Sequence, residues 1–143
     1  MKHFGAKMEY SKERMNDLMR AYDEYIESCD YIRMSDVYKT IVNMRSERFW
    51  VSDIRATKVV YSMLRGIKLS KMRPLKREMF EEIFRRVLAM KKENPDMTIS
   101  ECCSMVVCQP APKFYLTPGS AKIMVCKARK RWIREKMKRL RLL

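Results

Sequence analysis

Glycine and histidine are scarce in this chain of 143 residues, which has three glycines and one histidine, His3. So few glycines leave no glycine-rich loop of the kind that cradles phosphate groups. One histidine and five cysteines also provide no zinc-ligand spacing. We therefore expect a protein that is not an enzyme, with no catalytic residue, no metal site and no cofactor.

Long apolar runs are missing as well, since the chain nowhere has eighteen consecutive apolar residues. Its first residues lack the apolar stretch of a signal peptide. The odd number of cysteines fits reduced thiols better than a disulfide framework. These features predict a cytoplasmic protein without membrane attachment.

Hydrophobic residues make up 47% of the chain, and they recur mostly with the period of a helix. Between Ser11 and Glu27 the predicted buried stripe contains Met15, Leu18, Met19, Tyr22, Tyr25 and Ile26. The acidic residues Asp17, Asp23, Glu24 and Glu27 of that helix are interpreted as a solvated face. The pattern predicts an all-α fold.

One stretch of the sequence occurs twice, at an offset of 65 positions. Ser35 corresponds to Ser100, residues 48–52 to residues 113–117, and Ala56 to Ala121. Such an internal repeat predicts two tandem three-helix units of the helix-turn-helix type, ending in a long basic helix. The expected boundaries are a flexible lead over 1–9, a first unit with a basic linker over 10–74 and a second unit over 75–143.

Each unit has predicted N-caps at its second and third helices, namely Ser35 and Ser52 in the first copy and Ser100 and Thr117 in the second. The third helices are expected to bury Ala56, Val59, Val60, Met63, Leu64 and Ile67, and in the copy Ala121, Met124, Val125, Ala128 and Trp132. The aromatic pairs Phe49/Trp50 and Phe114/Tyr115 are interpreted as core residues, although base stacking is an alternative. Trp132 could instead lie at an interface.

The net charge of +15 is concentrated in two segments. Residues 65–77 carry +6 and residues 121–143 carry +9, whereas the rest of the chain is nearly neutral. A duplicated basic segment favours a polyanionic partner. The predicted nucleic-acid-binding residues are Arg55, Lys58, Ser62, Arg65, Lys71, Arg73, Lys127, Lys130, Arg131, Arg134, Lys136, Lys138, Arg139 and Arg141.

The proline-rich segment from Pro110 to Thr117 resembles a segment of small basic proteins encoded on phages and mobile elements of gut bacteria. The resemblance extends over residues 100–126 and covers the second copy only, because the first copy has Arg45 to Arg48 where the second has its prolines. It implies no known activity, but it favours a role in handling DNA or RNA. It also implies that the cytoplasm is that of a bacterial or phage-infected cell, with association with a virion left open.

The sequence therefore predicts a non-enzymatic nucleic-acid-binding protein of phage or mobile-element type, with duplex DNA favoured over RNA. The alternative is a structural or assembly protein, for example a virion or scaffold component or a basic helical accessory to a reverse transcriptase, which docks on an acidic partner. Self-association or binding of another protein stays open.

Overall fold

The computed structural model describes residues 4–142, and over that range the fold is all-helical. Its six helices are α1 (Phe4–Ser28), α2 (Met34–Ile41), α3 (Asp53–Leu64), α4 (Pro74–Glu93), α5 (Ile99–Val107) and α6 (Pro118–Leu142). The predicted all-α class is confirmed, and so is a long basic C-terminal helix. Of the predicted lead over 1–9, residues 1–3 lie outside the described residues, and α1 begins at Phe4, before the expected Ser11.

The helices form two compact units that do not follow the expected boundary at residue 74. The inserted unit is Arg45–Tyr115 and contains α3, α4 and α5. The split unit combines the chain up to Met44 with the chain from Leu116 onward, and it contains α1, α2 and α6. Each third helix therefore packs with the first two helices of the other predicted half.

The core of the inserted unit is built from the apolar faces of its three helices. Phe49, Val60, Phe80, Ile83 and Val106 are fully buried there. Two backbone hydrogen bonds join the connection after α2 to the connection after α5. The N–H of Ser46 donates to the carbonyl of Ala111, and the N–H of Ala111 donates to the carbonyl of Ser46, each at 3.0 Å. Phe49 and Phe114 are both buried, as expected for core residues.

The split unit buries one face of each of its helices, represented by Leu18 and Ala21 of α1, Ile41 of α2 and Val125 of α6. The expected solvated acidic face of α1 is wrong at Asp17, which is 2% exposed. Its carboxylate accepts hydrogen bonds from Arg20, with Oδ1 2.7 Å from Nη2. The ion pair lets the carboxylate lie at the edge of the core, because a buried charge needs a partner.

Two of the four predicted N-caps are correct. Ser52 Oγ accepts from the backbone N–H of Arg55 at 3.0 Å, and Thr117 Oγ1 accepts from that of Ser120 at 3.1 Å. Ser35 and Ser100 lie instead inside the first turns of α2 and α5.

Helix α5 is capped by Thr98, which is not one of the four predicted N-caps. Thr98 forms a capping box with Glu101, in which the Thr98 side chain accepts from the Glu101 N–H at 3.1 Å. The spacing of a threonine followed three residues later by a glutamate is the signature of this motif. It therefore overrides the serine at position 100. Helix α2 has no side-chain cap at Arg33.

Candidate nucleic-acid interface

The α6 helix carries most of the predicted site. Ala121 and Val125 are fully buried, and they hold the first half of α6 against α1 and α2. At the next turn the guanidinium of Arg129 donates to the hydroxyl of Tyr22 at 3.4 Å. From Arg129 to Arg141 every residue is exposed, so the second half of the helix presents all its sides to solvent.

Five basic residues line one side of α6, and we call them the cationic stripe: Lys127, Arg131, Arg134, Lys138 and Arg141. Their spacing of i, i+4, i+7, i+11 and i+14 places them on a single helix face. At 1.5 Å per residue the stripe is about 21 Å long. Lys130 borders the stripe, whereas Lys136 and Arg139 lie on other faces of the helix.

No side chain of the stripe forms an ion pair with a carboxylate in the part of the chain that the structure describes. The one acidic residue between 121 and 143 is Glu135. Like charges one turn apart on a helix repel each other. Five cations with the single carboxylate of Glu135 beside them make the stripe a source of positive potential that an anionic partner would stabilise.

An apolar edge runs beside the stripe on the same half of α6. Ile133, Met137 and Leu140 are 52%, 49% and 58% exposed and recur at i, i+4 and i+7. Trp132, expected on the buried face, is 58% exposed, with the ammonium of Lys136 4.9 Å from its ring centroid. The alternative that Trp132 lies at an interface remains open, because its ring is accessible.

The remaining predicted site residues belong to the inserted unit. Arg55 and Lys58 are exposed on α3, and Arg65 is exposed at its C-cap. Ser62 is half-buried, and its hydroxyl donates to the Lys58 carbonyl at 3.1 Å. The guanidinium of Arg55 lies 6.0 Å from the ring centroid of Phe80, so one part of the guanidinium faces that ring.

Lys71 and Arg73 lie in the segment that joins α3 to α4, and both are exposed. Two apolar residues of the same segment, Leu69 and Met72, pack against the core of the inserted unit. Lys71 lies between these two anchors and Arg73 directly after them, and both basic side chains are left on the outside. Leu64 and Ile67, expected to be buried, are 45% and 54% exposed because α3 ends at Leu64.

Gly66 explains why α3 is short and α6 long. Its φ of +83° is left-handed, and its N–H donates to the Met63 carbonyl at 2.9 Å while that of Ile67 donates to Ser62 at 3.0 Å. Glycine ends helices in this way because it lacks a Cβ. In α6 the position 65 residues later is Arg131, a good helix former, and the helix continues.

Tyr61 is an exposed aromatic residue that was not among the predicted site residues. It lies on the outer face of α3 between Lys58 and Arg65, and its side chain is 46% exposed. Its position could have been recognised from the sequence, because it falls outside the apolar phase set by Ala56, Val59, Val60 and Met63.

Burial shifts the pKa of one group that borders α6. The pKa of the Tyr38 hydroxyl is raised, first by burial and then by its contacts with Cys126 and Tyr22. Tyr38 and Tyr22 also stack, with ring centroids 6.4 Å apart. Tyr22 of α1 and Tyr38 of α2 thus pack beside α6 and belong to the support of the stripe.

Other classes of site find no counterpart here. Among residues 4–142 no group of three or more metal-ligating side chains comes together. No helix in the same range combines the length and apolar character that a membrane span needs. The chain matches no protein-family model, no curated protein and no solved structure.

Proposed function

We propose that the protein binds nucleic acid, with duplex DNA favoured, and that the cationic stripe of α6 contacts the phosphates. The single observation that carries the proposal is the stripe itself: five exposed basic side chains on one helix face without an acidic partner among the described residues. Protein contacts to phosphates come largely from such lysines and arginines.

The contacts proposed here give affinity without sequence recognition. Phosphate contacts position a protein on the duplex, whereas base edges carry the sequence information. In the proposal, any sequence preference would come from Arg55 and Lys58 of α3 and from Lys127 and Lys130 in the middle of α6. The proposal includes no catalytic step and no cofactor, and the phage or mobile-element origin and the cytoplasmic location remain predictions.

A matched pair of variants tests the proposal. The stripe variant changes Lys127, Arg131, Arg134, Lys138 and Arg141 to glutamine. The control variant changes five exposed basic residues outside both basic segments to glutamine, namely Lys12, Arg33, Lys39, Arg45 and Lys92. Both variants lose the same net charge, so a difference between them reports position and not total charge.

We expect the stripe variant to lose most of its affinity for a labelled DNA duplex in a fluorescence-anisotropy titration, and the control variant to lose much less. Equal losses would mean that net charge alone drives binding. Full binding by the stripe variant would contradict the proposal. Circular dichroism checks that both variants keep their helices.

A second candidate is an acidic protein partner, as expected of an assembly or scaffold component. The apolar edge of α6 favours it, because Ile133, Met137 and Leu140 are not needed for phosphate contacts. Purification with and without nuclease separates the two candidates. Nucleic acid that co-purifies and is removed by nuclease supports the first, and an acidic protein that survives nuclease and leaves in high salt supports the second.

The predicted internal repeat is also kept as a proposal, in a form that fits the observed grouping of helices. We propose that the chain is a duplication in which the third helices are exchanged between the two halves. In support, three helix ends are 65 residues apart: α1 and α4 end at 28 and 93, α2 and α5 begin at 34 and 99, and α3 and α6 begin at 53 and 118.

Ion pairs follow the same offset. Arg20 binds Asp17 in α1, and Arg85 binds Glu82 in α4, with nitrogen to oxygen distances of 2.7 and 2.6 Å. An experimental structure tests the duplication, since α1, α2 and the start of α6 should superpose on α4, α5 and α3. Unrelated helix packing in the two sets would refute it.

A further inference from the structure

The outer face of α3 has a composition that the fold does not use. Ile54, Lys58, Tyr61 and Arg65 recur at i, i+4, i+7 and i+11 and therefore share one face of the helix. The opposite face holds Ala56, Val59 and Val60, which are buried in the core of the inserted unit. Because the face with Ala56, Val59 and Val60 is buried, the side chains of the outer face point to solvent.

Tyr61 is the centre of this face. In the part of the chain that the structure describes, its ring stacks on no other ring and its hydroxyl has no hydrogen-bond partner. Lys58 lies one turn before it and Arg65 one turn after it, and neither forms an ion pair with any described residue. The face is an accessible aromatic ring with an unpaired positive charge on each side.

We propose that the outer face of α3 binds single-stranded nucleic acid, with one unpaired base stacked on the ring of Tyr61 and its flanking phosphates on Lys58 and Arg65. Aromatic rings among basic residues bind single strands in this way because every base has a π-face. In a duplex both faces of a base are already stacked, so a duplex offers the ring no partner. Ile54, 66% exposed, extends the apolar surface toward the start of the helix.

This inference deepens the proposed function, on which it rests for the kind of ligand, but it uses a different unit and a different contact. The cationic stripe belongs to α6 of the split unit and contacts phosphates. Tyr61 belongs to α3 of the inserted unit and contacts a base. Each contact can therefore be removed without changing the other.

The test compares the wild-type chain with Tyr61→Ala and Tyr61→Phe. The probes are a labelled DNA oligonucleotide and an RNA oligonucleotide of the same sequence, each about 10 nucleotides long, and a blunt DNA duplex. We expect Tyr61→Ala to weaken binding of a single strand by about 5-fold or more, since base stacking on an aromatic ring contributes that much or more. Tyr61→Phe keeps the ring and should bind like the wild type, and duplex binding should be unchanged in both variants.

The matched control is Tyr31→Ala. Tyr31 is an exposed tyrosine of the split unit, beside Asp30, so it tests the loss of a ring where no basic pair flanks it. It should leave all three probes unaffected. Circular dichroism of each variant confirms that the fold is kept.

Several outcomes would overturn the inference. Single-strand binding by Tyr61→Ala equal to the wild type would do so, and so would an equal loss on single strands and duplex, or the same loss in Tyr61→Phe. Duplex binding without single-strand binding by the wild type would refute the inference and leave the proposed function intact. Failure on every probe would refute the proposed function as well. If only the DNA or only the RNA strand depends on Tyr61, that strand names the ligand.

Discussion

Phe49 is the residue whose removal should damage the inserted unit most. Its side chain is fully buried, its ring lies 6.1 Å from that of Tyr115, and the guanidinium of Arg86 lies 5.0 Å from its centroid. Its backbone N–H donates to the carbonyl of Val107 at 3.0 Å. Phe49 therefore joins the connection after α2 to both α4 and α5.

Replacing Phe49 with alanine removes a buried ring and leaves a cavity, so the free energy of unfolding should fall by about 3–5 kcal/mol. Arg86 limits any collapse into the cavity. Its Nε donates to Glu82 at 2.7 Å and its Nη1 to the carbonyl of Pro110 at 3.0 Å, which fixes the guanidinium in place. A small domain has about 5–15 kcal/mol in total, so the loss would be a large part of its stability.

Urea denaturation followed by circular dichroism measures the effect. The control is Tyr61→Ala, which removes an exposed ring from the same unit and should change the free energy of unfolding by about 0.5 kcal/mol or less. If the two units unfold in separate steps, only the transition of the inserted unit should move. A loss below about 1 kcal/mol for Phe49→Ala would show that the described core is wrong.

Four further substitutions test local features by the same denaturation assay. Thr98→Ala should cost about 1 kcal/mol, and Ser100→Ala close to nothing, because Thr98 and not Ser100 caps α5; the opposite order would contradict the capping box. Gly66→Ala should destabilise by about 1 kcal/mol, since alanine is strained at a φ of +83°, and a neutral result would contradict the left-handed end of α3. The pKa of Glu82 is lowered, first by Arg85 and then by Arg86, so its contribution is present above its unfolded value of 4.5 and is lost as the pH falls through the lower folded value. Glu82→Gln should therefore lose more stability at neutral pH than in acid, and an equal loss at both would refute this.

Much of the local structure follows from the sequence. The helical period located the buried positions of α3 and of the first half of α6, where Ala56, Val60, Ala121 and Val125 are fully buried as expected. The exposed basic side chains were also predictable, because a lysine or arginine outside the buried stripe of a helix is normally exposed to solvent. The caps at Ser52 and Thr117 followed from the break before each third helix.

The grouping of the helices was not predictable in the same way. A repeat shows which segments are alike. It does not show which segments pack together, because either third helix can cover the apolar faces of α1 and α2 or those of α4 and α5. Periodicity therefore cannot distinguish a tandem arrangement from an exchange. Asp17 and Trp132 show a second limit of prediction from periodicity. The carboxylate of Asp17 is buried because Arg20, one turn away, pairs with it. The ring of Trp132 is exposed because no helix among the described residues covers the second half of α6.

The salt dependence of DNA binding tests the central claim most directly. Deleting residues 136–143 removes Lys136, Lys138, Arg139 and Arg141, whose side chains are exposed and pack against neither core. Two of these belong to the cationic stripe. Each lost phosphate contact reduces the slope of log affinity against log salt by about 0.9 on duplex DNA. We expect the truncated chain to stay folded and its slope to be shallower than that of the full chain by about 1.8 to 3.6. Equal slopes for the two folded chains would contradict the claim that α6 binds nucleic acid.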